Sequence, residues 1–211
     1  MFLKDTENNY CTVCGEVFSE PKLSHEIYEE KFYSFSLKSK RLSDSYDIIN
    51  ITASERLLCD NISLSFGARL IITGQFRSYN NFSDVGNKLI LTLFAKDIEP
   101  VYNECYDKNE IYLDGYICKT PVYRVTPFGR EITDILLAVN RIHNKSDYIP
   151  CIAWGRNAKF ASNLEVSDRI KIWGRIQSRE YQKKLDDETE ITKTAFEVSI
   201  GKIEYIKNDN V

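Results

Sequence analysis

The sequence predicts an all-β protein of two tandem five-stranded Greek-key barrels, and three observations predict it. First, the 211-residue chain repeats itself with a period of about 100. Gly15 is matched by Gly115, Pro21 by Pro121, and Phe35-Ser-Leu-Lys-Ser-Lys-Arg41 by Ile135-Leu-Leu-Ala-Val-Asn-Arg141. Gly67-Ala-Arg-Leu-Ile-Ile-Thr-Gly-Gln-Phe-Arg-Ser78 is matched by Ser167-Asp-Arg-Ile-Lys-Ile-Trp-Gly-Arg-Ile-Gln-Ser178. Asp47-Ile-Ile-Asn-Ile51 answers Tyr148-Ile-Pro-Cys-Ile152, one register further on. Second, each copy is a series of short runs in which apolar residues recur at every second position, the period of a half-buried strand. Third, a single helix-compatible stretch falls between the third and fourth runs. Five strands with that interruption follow the order of an OB-fold barrel.

In the first copy the strands are Tyr10–Val17, Phe32–Lys40, Ile48–Thr52, Arg69–Phe76 and Leu89–Ala95. In the second, Ile111–Lys119 is the first strand, and Gly129 suits a hairpin turn ahead of the second, Glu131–Asn140. The third, Tyr148–Trp154, places Tyr148, Pro150, Ile152 and Trp154 on one face and Ile149, Cys151 and Ala153 on the other. Pro150 lacks a backbone donor, which points to an edge or bulge there. Asn157–Leu164 is the short helix-compatible stretch. In the fourth strand, Asp168–Gln177, Ile170, Ile172 and Ile176 face the core, and Lys171, Trp173 and Arg175 face away. The fifth, Ala195–Ile200, alternates through Phe196, Val198 and Ile200. The copies join near Pro100–Glu110, which sets the expected domains at 1–105 and 106–211.

Charge is unevenly spread. The whole chain has a formal net charge of −3, which alone argues weakly against a nucleic-acid partner. Residues 111–184, however, hold 13 Lys and Arg against 7 Asp and Glu, whereas 1–110 is acidic. Positive charge is therefore concentrated on the second copy, around the aromatic stretch from Ser146 to Tyr181.

The second copy resembles the bacterial single-stranded DNA-binding protein (SSB) family. The resemblance rests on an ordered set: Gly115, Pro121-Val-Tyr-Arg124, Thr126-Pro-Phe-Gly129, Leu137-Ala-Val-Asn-Arg141, Tyr148-Ile-Pro-Cys-Ile-Ala-Trp-Gly-Arg156, Ala158 and Ile172-Trp-Gly-Arg-Ile-Gln-Ser-Arg179. It covers 106–211 and reaches the first half, a diverged N-terminal OB domain, only through the internal repeat. It implies binding of single-stranded DNA with little sequence preference, in replication, repair or recombination. It also implies base stacking on Tyr148, Trp154 and Tyr181; a further aromatic of the family falls near His143. Four-barrel assemblies in the family imply a homodimer of this chain. An acidic, aromatic tail commonly recruits replication and repair proteins in the family. This chain ends Ile206-Lys-Asn-Asp-Asn-Val211 close after its fifth strand, so recruitment by such a tail is not expected. A primosome-type or RNA-binding OB module is the nearest alternative, and a protein-interaction scaffold a further one.

The residues themselves support that chemistry. Aromatic rings offer every base a stacking surface, and strand parity places Tyr148 and Trp154 together on the outer face. Tyr181 follows a turn, so for it the core and the surface both stay open. Arg124, Arg130, Arg141, Lys145, Arg156, Lys159, Lys171, Arg175 and Arg179 are interleaved with the rings and suited to phosphates. Of these, Arg124, Arg141, Arg156 and Arg179 are the leading candidates, with Arg175 and Lys159 behind them. Trp173 stands on the outer side of its strand, as a stacking ring or, in the favoured reading, a subunit contact. In the first copy Asp47 and Ala53, or Ser54 in the neighbouring register, answer Tyr148 and Trp154. The stacking platform is therefore expected to be lost there, leaving a structural or protein-binding module.

Other function classes find little support. Cys11-Thr-Val-Cys14 is a lone CxxC on a predicted strand, without the second ligand pair that zinc needs or the strand-to-helix turn of a redox site. His25 and His143 stand apart from any nucleophile. No phosphate-binding glycine loop or metalloprotease motif is present, so neither catalysis nor a cofactor is expected. Six cysteines scattered along the chain fit free thiols in a reducing cytosol. With no span of membrane length and no basic-then-apolar leader, a cytoplasmic, nucleoid-associated bacterial protein is expected.

Overall fold

The computed structural model describes residues 8–43, 45–58, 62–80, 89–102, 107–142, 144–184 and 190–207, apart from the side chains of 180–193. No helix among them is long and apolar enough to cross a membrane. The first half forms β1 (Asn9–Val17), β2 (Lys22–Ile27), β3 (Glu30–Lys40), β4 (Tyr46–Ser54), a 3-10 turn at Glu55–Leu57, β5 (Arg69–Asn80) and β6 (Leu89–Pro100). Its strands close into a ring in the order β1-β3-β4-β6-β5-β1, with β2 added outside β3. β4 and β6 run parallel; β3–β4 and β5–β6 are antiparallel. That is the OB-fold order.

The second half repeats it with β7 (Asn109–Ile117), β8 (Val122–Val125), β9 (Glu131–Asn140), β10 (Ser146–Trp154), α1 (Arg156–Ala161), β11 (Arg169–Lys184) and β12 (Glu190–Ile206). Here the ring is β7-β9-β10-β12-β11-β7, with β8 outside β9 and β10 parallel to β12. The expected alternation builds both cores. Leu37, Ile49, Ile51, Ile72, Phe76 and Leu93 fill the first, and Leu113, Leu137, Ile149, Ile170, Ile172 and Val198 the second, all fully buried. Each such side chain contributes about 1.5–3 kcal/mol by leaving water. The repeated glycine of the first strand has a mechanical reason. A Cβ on Gly15 would lie 2.5 Å from the Lys38 carbonyl oxygen, and one on Gly115 2.5 Å from that of Ala138. At that point the first strand presses against the second to close the ring.

Three differences from the sequence expectation stand out. Each barrel has a sixth strand, β2 or β8, which was not expected. Every residue of both is exposed, so neither carries the apolar alternation that betrays a strand. The repeat also needs no register shift. Asp47 opposes Ser39 and Asp147 opposes Val139, so Asp47 answers Asp147, and Ile48 and Ser54 answer Tyr148 and Trp154. Finally, the compact units do not follow one cut of the chain. One comprises Met1–Cys11, Glu110–Ile176 and Glu197–Val211, the other Thr12–Asn109 with Gln177–Phe196. This division does not coincide with a single boundary at 105/106, since it falls within β1, β11 and β12. In the second of these units, buried Asp47 accepts from Arg41 Nε at 2.9 Å and from the Ser178 backbone at 2.9 Å. Ser178 Oγ in turn accepts from the Ile48 backbone at 2.9 Å.

Candidate nucleic-acid interface

The outer face of the second barrel is set by register. Ala138 lies opposite Tyr148 on one side and Tyr116 on the other, and Tyr116 lies opposite Arg169. Directly opposed residues share a face, so Arg169, Tyr116, Ala138 and Tyr148 form one row across β11, β7, β9 and β10. Tyr148 is 47% exposed and Tyr116 37%. The small Ala138 leaves a slot between their Cα atoms roughly 10 Å wide. Arg169 is held in place by Asp114, donating Nε to Oδ1 and Nη2 to Oδ2 at 2.9 Å each. Those hydrogen bonds raise its pKa above the ordinary arginine value, so the cation is permanent.

A second row lies at the far end of β10. Trp154 opposes Ile132, which opposes Arg124. Trp154 is 36% exposed and lies six residues, roughly 20 Å, along the strand from Tyr148. Gly155, at φ +53°, then turns the chain into α1, whose first residue, Arg156, is exposed two positions after the ring. Thr133 Oγ1 donates to the Ala158 carbonyl at 2.8 Å and pins α1 to the barrel. Between the two rows Leu136 opposes Pro150 and Asp134 opposes Ile152, so the middle of this face is apolar apart from the Asp134 carboxylate.

The predicted basic residues divide. Arg156 is exposed at the start of α1, with no ion-pair partner among the described residues. Arg124 is exposed but donates to both carboxylate oxygens of Asp134, at 2.6 and 3.2 Å, and this pairing raises its pKa. Lys159 reaches Glu131 at 3.1 Å. Glu131 also accepts from the Tyr123 hydroxyl at 2.7 Å, and these two donors, Tyr123 foremost, hold its carboxyl below the usual range.

Arg141 needs correcting. Its Nε donates to Asp147 at 2.6 Å and its Nη2 to the other oxygen, and Asp147 is buried. The first barrel keeps the same pair as Arg41 and Asp47. The pair is present in both barrels and leaves the Arg141 side chain only 21% exposed, against 40% for Arg169, so Arg141 serves the frame. Arg175 is half-buried on β11, and Lys145 and Arg130 are exposed in turns. Arg179 is exposed but belongs to the other compact unit. The side chain of Tyr181, like His143, lies outside the described residues. Trp173 opposes Tyr112, with ring centroids 5.2 Å apart, and the Lys202 ammonium lies 4.4 Å over its ring.

Sequence reasoning missed Tyr116, Arg169 and Phe128. Strand parity on β7 alternates buried Ile111, Leu113 and Ile117 with Tyr112 and Tyr116, and would have found Tyr116. Arg169 was visible in the repeat, matched with Arg69, but not as a basic member of this face. Phe128 is 91% exposed in the turn between β8 and β9, where no alternation gives a direction.

The single-strand binding protein family matches residues 108–205. Single-stranded DNA-binding protein 2 of Listeria monocytogenes is 31% identical over 112 residues, which cover 49% of this chain and 68% of that protein. The chain belongs to the single-strand binding protein family. Single-stranded DNA-binding protein A of Bacillus subtilis is 28% identical over 109 residues, covering 48% of this chain and 61% of that one. A Listeria innocua single-stranded DNA-binding protein 2 is 35% identical over 81 residues, covering 35% and 51%. The chain thus spans about half the length of several curated family members it matches. In fold the likeness extends further. The single-stranded DNA binding protein from Thermus aquaticus superposes with a TM-score of 0.73 over 96% of this chain and 95% of its own, at 17% identity. At that identity the likeness is one of fold, and it takes in the half of the chain beyond the family match.

Proposed function

We propose that this chain binds single-stranded DNA with little sequence preference, on the outer face of β7, β9 and β10, in DNA replication, repair or recombination. The observation that carries the reading is the row Arg169, Tyr116, Ala138, Tyr148: two exposed rings in register, a small residue between them and a fixed cation at the end. Bases stack on Tyr116, Tyr148 and Trp154, each contact contributing about 1–3 kcal/mol whatever the base. Phosphates pair with Arg156, and with Arg169, Arg124 and Lys159 in competition with the carboxylates of Asp114, Asp134 and Glu131. Membership of the single-strand binding protein family supports the same ligand. The function is binding, with no reaction step. Two chains pair as a homodimer of four barrels, in the bacterial cytoplasm and with other replication or repair proteins.

The test is tryptophan fluorescence during titration with oligo-dT and with duplex DNA. Quenching by oligo-dT, abolished in Trp154→Phe but kept in Trp173→Phe, is the expected result. Equal affinity for duplex DNA, or quenching that survives Trp154→Phe, would overturn the assignment.

A further inference from the structure

The first barrel repeats the frame of the proposed DNA face but not its chemistry. Glu16 opposes Lys38, and Lys38 opposes Ile48. This row answers Tyr116, Ala138 and Tyr148 of the second barrel. A carboxylate thus stands in the place of one ring and an aliphatic side chain in the place of the other. A lysine fills the slot that Ala138 leaves open. The Lys38 ammonium lies 4.4 Å over the Tyr46 ring and 5.8 Å from the Phe18 centroid, within reach of a cation–π contact with each. These two rings are already engaged by a cation of their own barrel.

The cations are answered as well. Arg69, the counterpart of Arg169, reaches Glu16 at 3.6 Å and also pairs with Asp107. Its side chain is 28% exposed, against 40% for Arg169. At the far end Ser54 stands in the place of Trp154, opposite Phe32, which is opposite His25. The His25 ring is stacked on Phe32, with centroids 4.8 Å apart and planes within 6°, and the Phe94 ring centroid lies 5.7 Å from that of Phe32. Arg56, the counterpart of exposed Arg156, is paired with Glu30 at 3.1 Å. The same carboxylate accepts from the Ser54 hydroxyl.

We infer that the first barrel is closed to single-stranded DNA, that Glu16, Lys38 and Ile48 close it, and that each chain binds DNA through one barrel only. Stacking needs a free ring face, and the row offers none. The Glu16 carboxylate repels the phosphates that a strand brings with its bases. A phosphate approaching Arg69 has two carboxylates to displace. The footprint of one chain is then that of one OB barrel, about 4–16 nucleotides, and a homodimer carries two DNA-binding barrels among its four. The inference rests on the reading of the second barrel as the DNA-binding one, and its test separates the two.

The test is the number of labelled oligo-dT molecules bound per full chain, counted by anisotropy with a strand of about eight nucleotides, short enough for one barrel. The proteins are wild type, Tyr148→Ala/Trp154→Ala and Glu16→Tyr/Lys38→Ala/Ile48→Tyr. Wild type is expected to take one oligonucleotide per chain, a count that needs no altered protein. Tyr148→Ala/Trp154→Ala is expected to lose about thirtyfold or more in affinity. The triple variant, which rebuilds the row of the second barrel, is expected to show a second, weaker binding event. Two oligonucleotides per wild-type chain would overturn the inference and leave the reading of the second barrel standing. One per chain with undiminished affinity in Tyr148→Ala/Trp154→Ala would overturn both. A triple variant that keeps the wild-type thermal midpoint and still takes one would overturn the assignment of the closure to Glu16, Lys38 and Ile48.

Discussion

Arg141 and Arg156 both belong to the basic second barrel, and the structure gives them opposite tasks. Arg141 neutralises buried Asp147; Arg156 stands exposed at the start of α1, two residues after Trp154. Removing one partner of a buried pair strands the other charge and costs about 3–5 kcal/mol. Arg141→Ala is therefore expected to lower the denaturation midpoint markedly, with the remaining folded protein keeping its affinity for oligo-dT. Arg156→Ala is expected to do the reverse, leaving the midpoint in place and weakening binding. Trp154→Ala should weaken oligo-dT binding by about 1–3 kcal/mol, read directly in a binding isotherm. Parity alone revealed the outward side of Tyr148 and Trp154, because that argument needs only a strand. The task of Arg141 was hidden because its partner is a carboxylate six residues away across a turn. With the repeat read one residue out of register, Asp147 had no counterpart.

At the scale of the element, what the sequence revealed is what burial enforces. Ring strands show period two because a one-residue slip would turn their apolar side chains to water. β2 and β8 lie outside the ring and bury neither face, so nothing in their composition marks them. The repeated glycines were legible as a pattern, whereas their cause is visible only in three dimensions. A side chain at Gly115 would collide with the Ala138 backbone at 2.5 Å, and backbone cannot swing aside as a flexible side chain can. Gly115→Val is expected to destabilise the protein by about 1–3 kcal/mol, the usual cost of overpacking, and to show it as a lower thermal midpoint. Gly129→Ala is the control. It has open space around its missing Cβ but a φ of +74°, so any loss there reports backbone strain and not a collision.

Over the whole molecule, the proposed ligand is a polyanion while the chain carries a formal net charge of −3. Net charge is the wrong quantity for this, because exposed charges are screened beyond about 8–10 Å at physiological salt. A strand lying on the second barrel meets the local field of Arg169, Arg156, Arg124 and Lys159, within a segment of 13 basic to 7 acidic residues. Three of these cations start paired, Arg169 with Asp114, Arg124 with Asp134 and Lys159 with Glu131, so their carboxylates compete with the phosphates. Each phosphate neutralised on a single strand contributes about −0.7 to the slope of log affinity against log salt. One unpaired contact gives a slope of about −0.7 and four give about −2.8, and the acidic partners pull the value toward the smaller figure. Asp134→Asn releases Arg124 without changing its position on the sheet. It is expected to raise oligo-dT affinity at low salt and to steepen the slope by up to about 0.7, as measured by titration at several sodium chloride concentrations. A slope unchanged by Asp134→Asn would mean that Arg124 stays out of the interface, and a slope near zero in the wild type would remove phosphate pairing from the binding mode altogether.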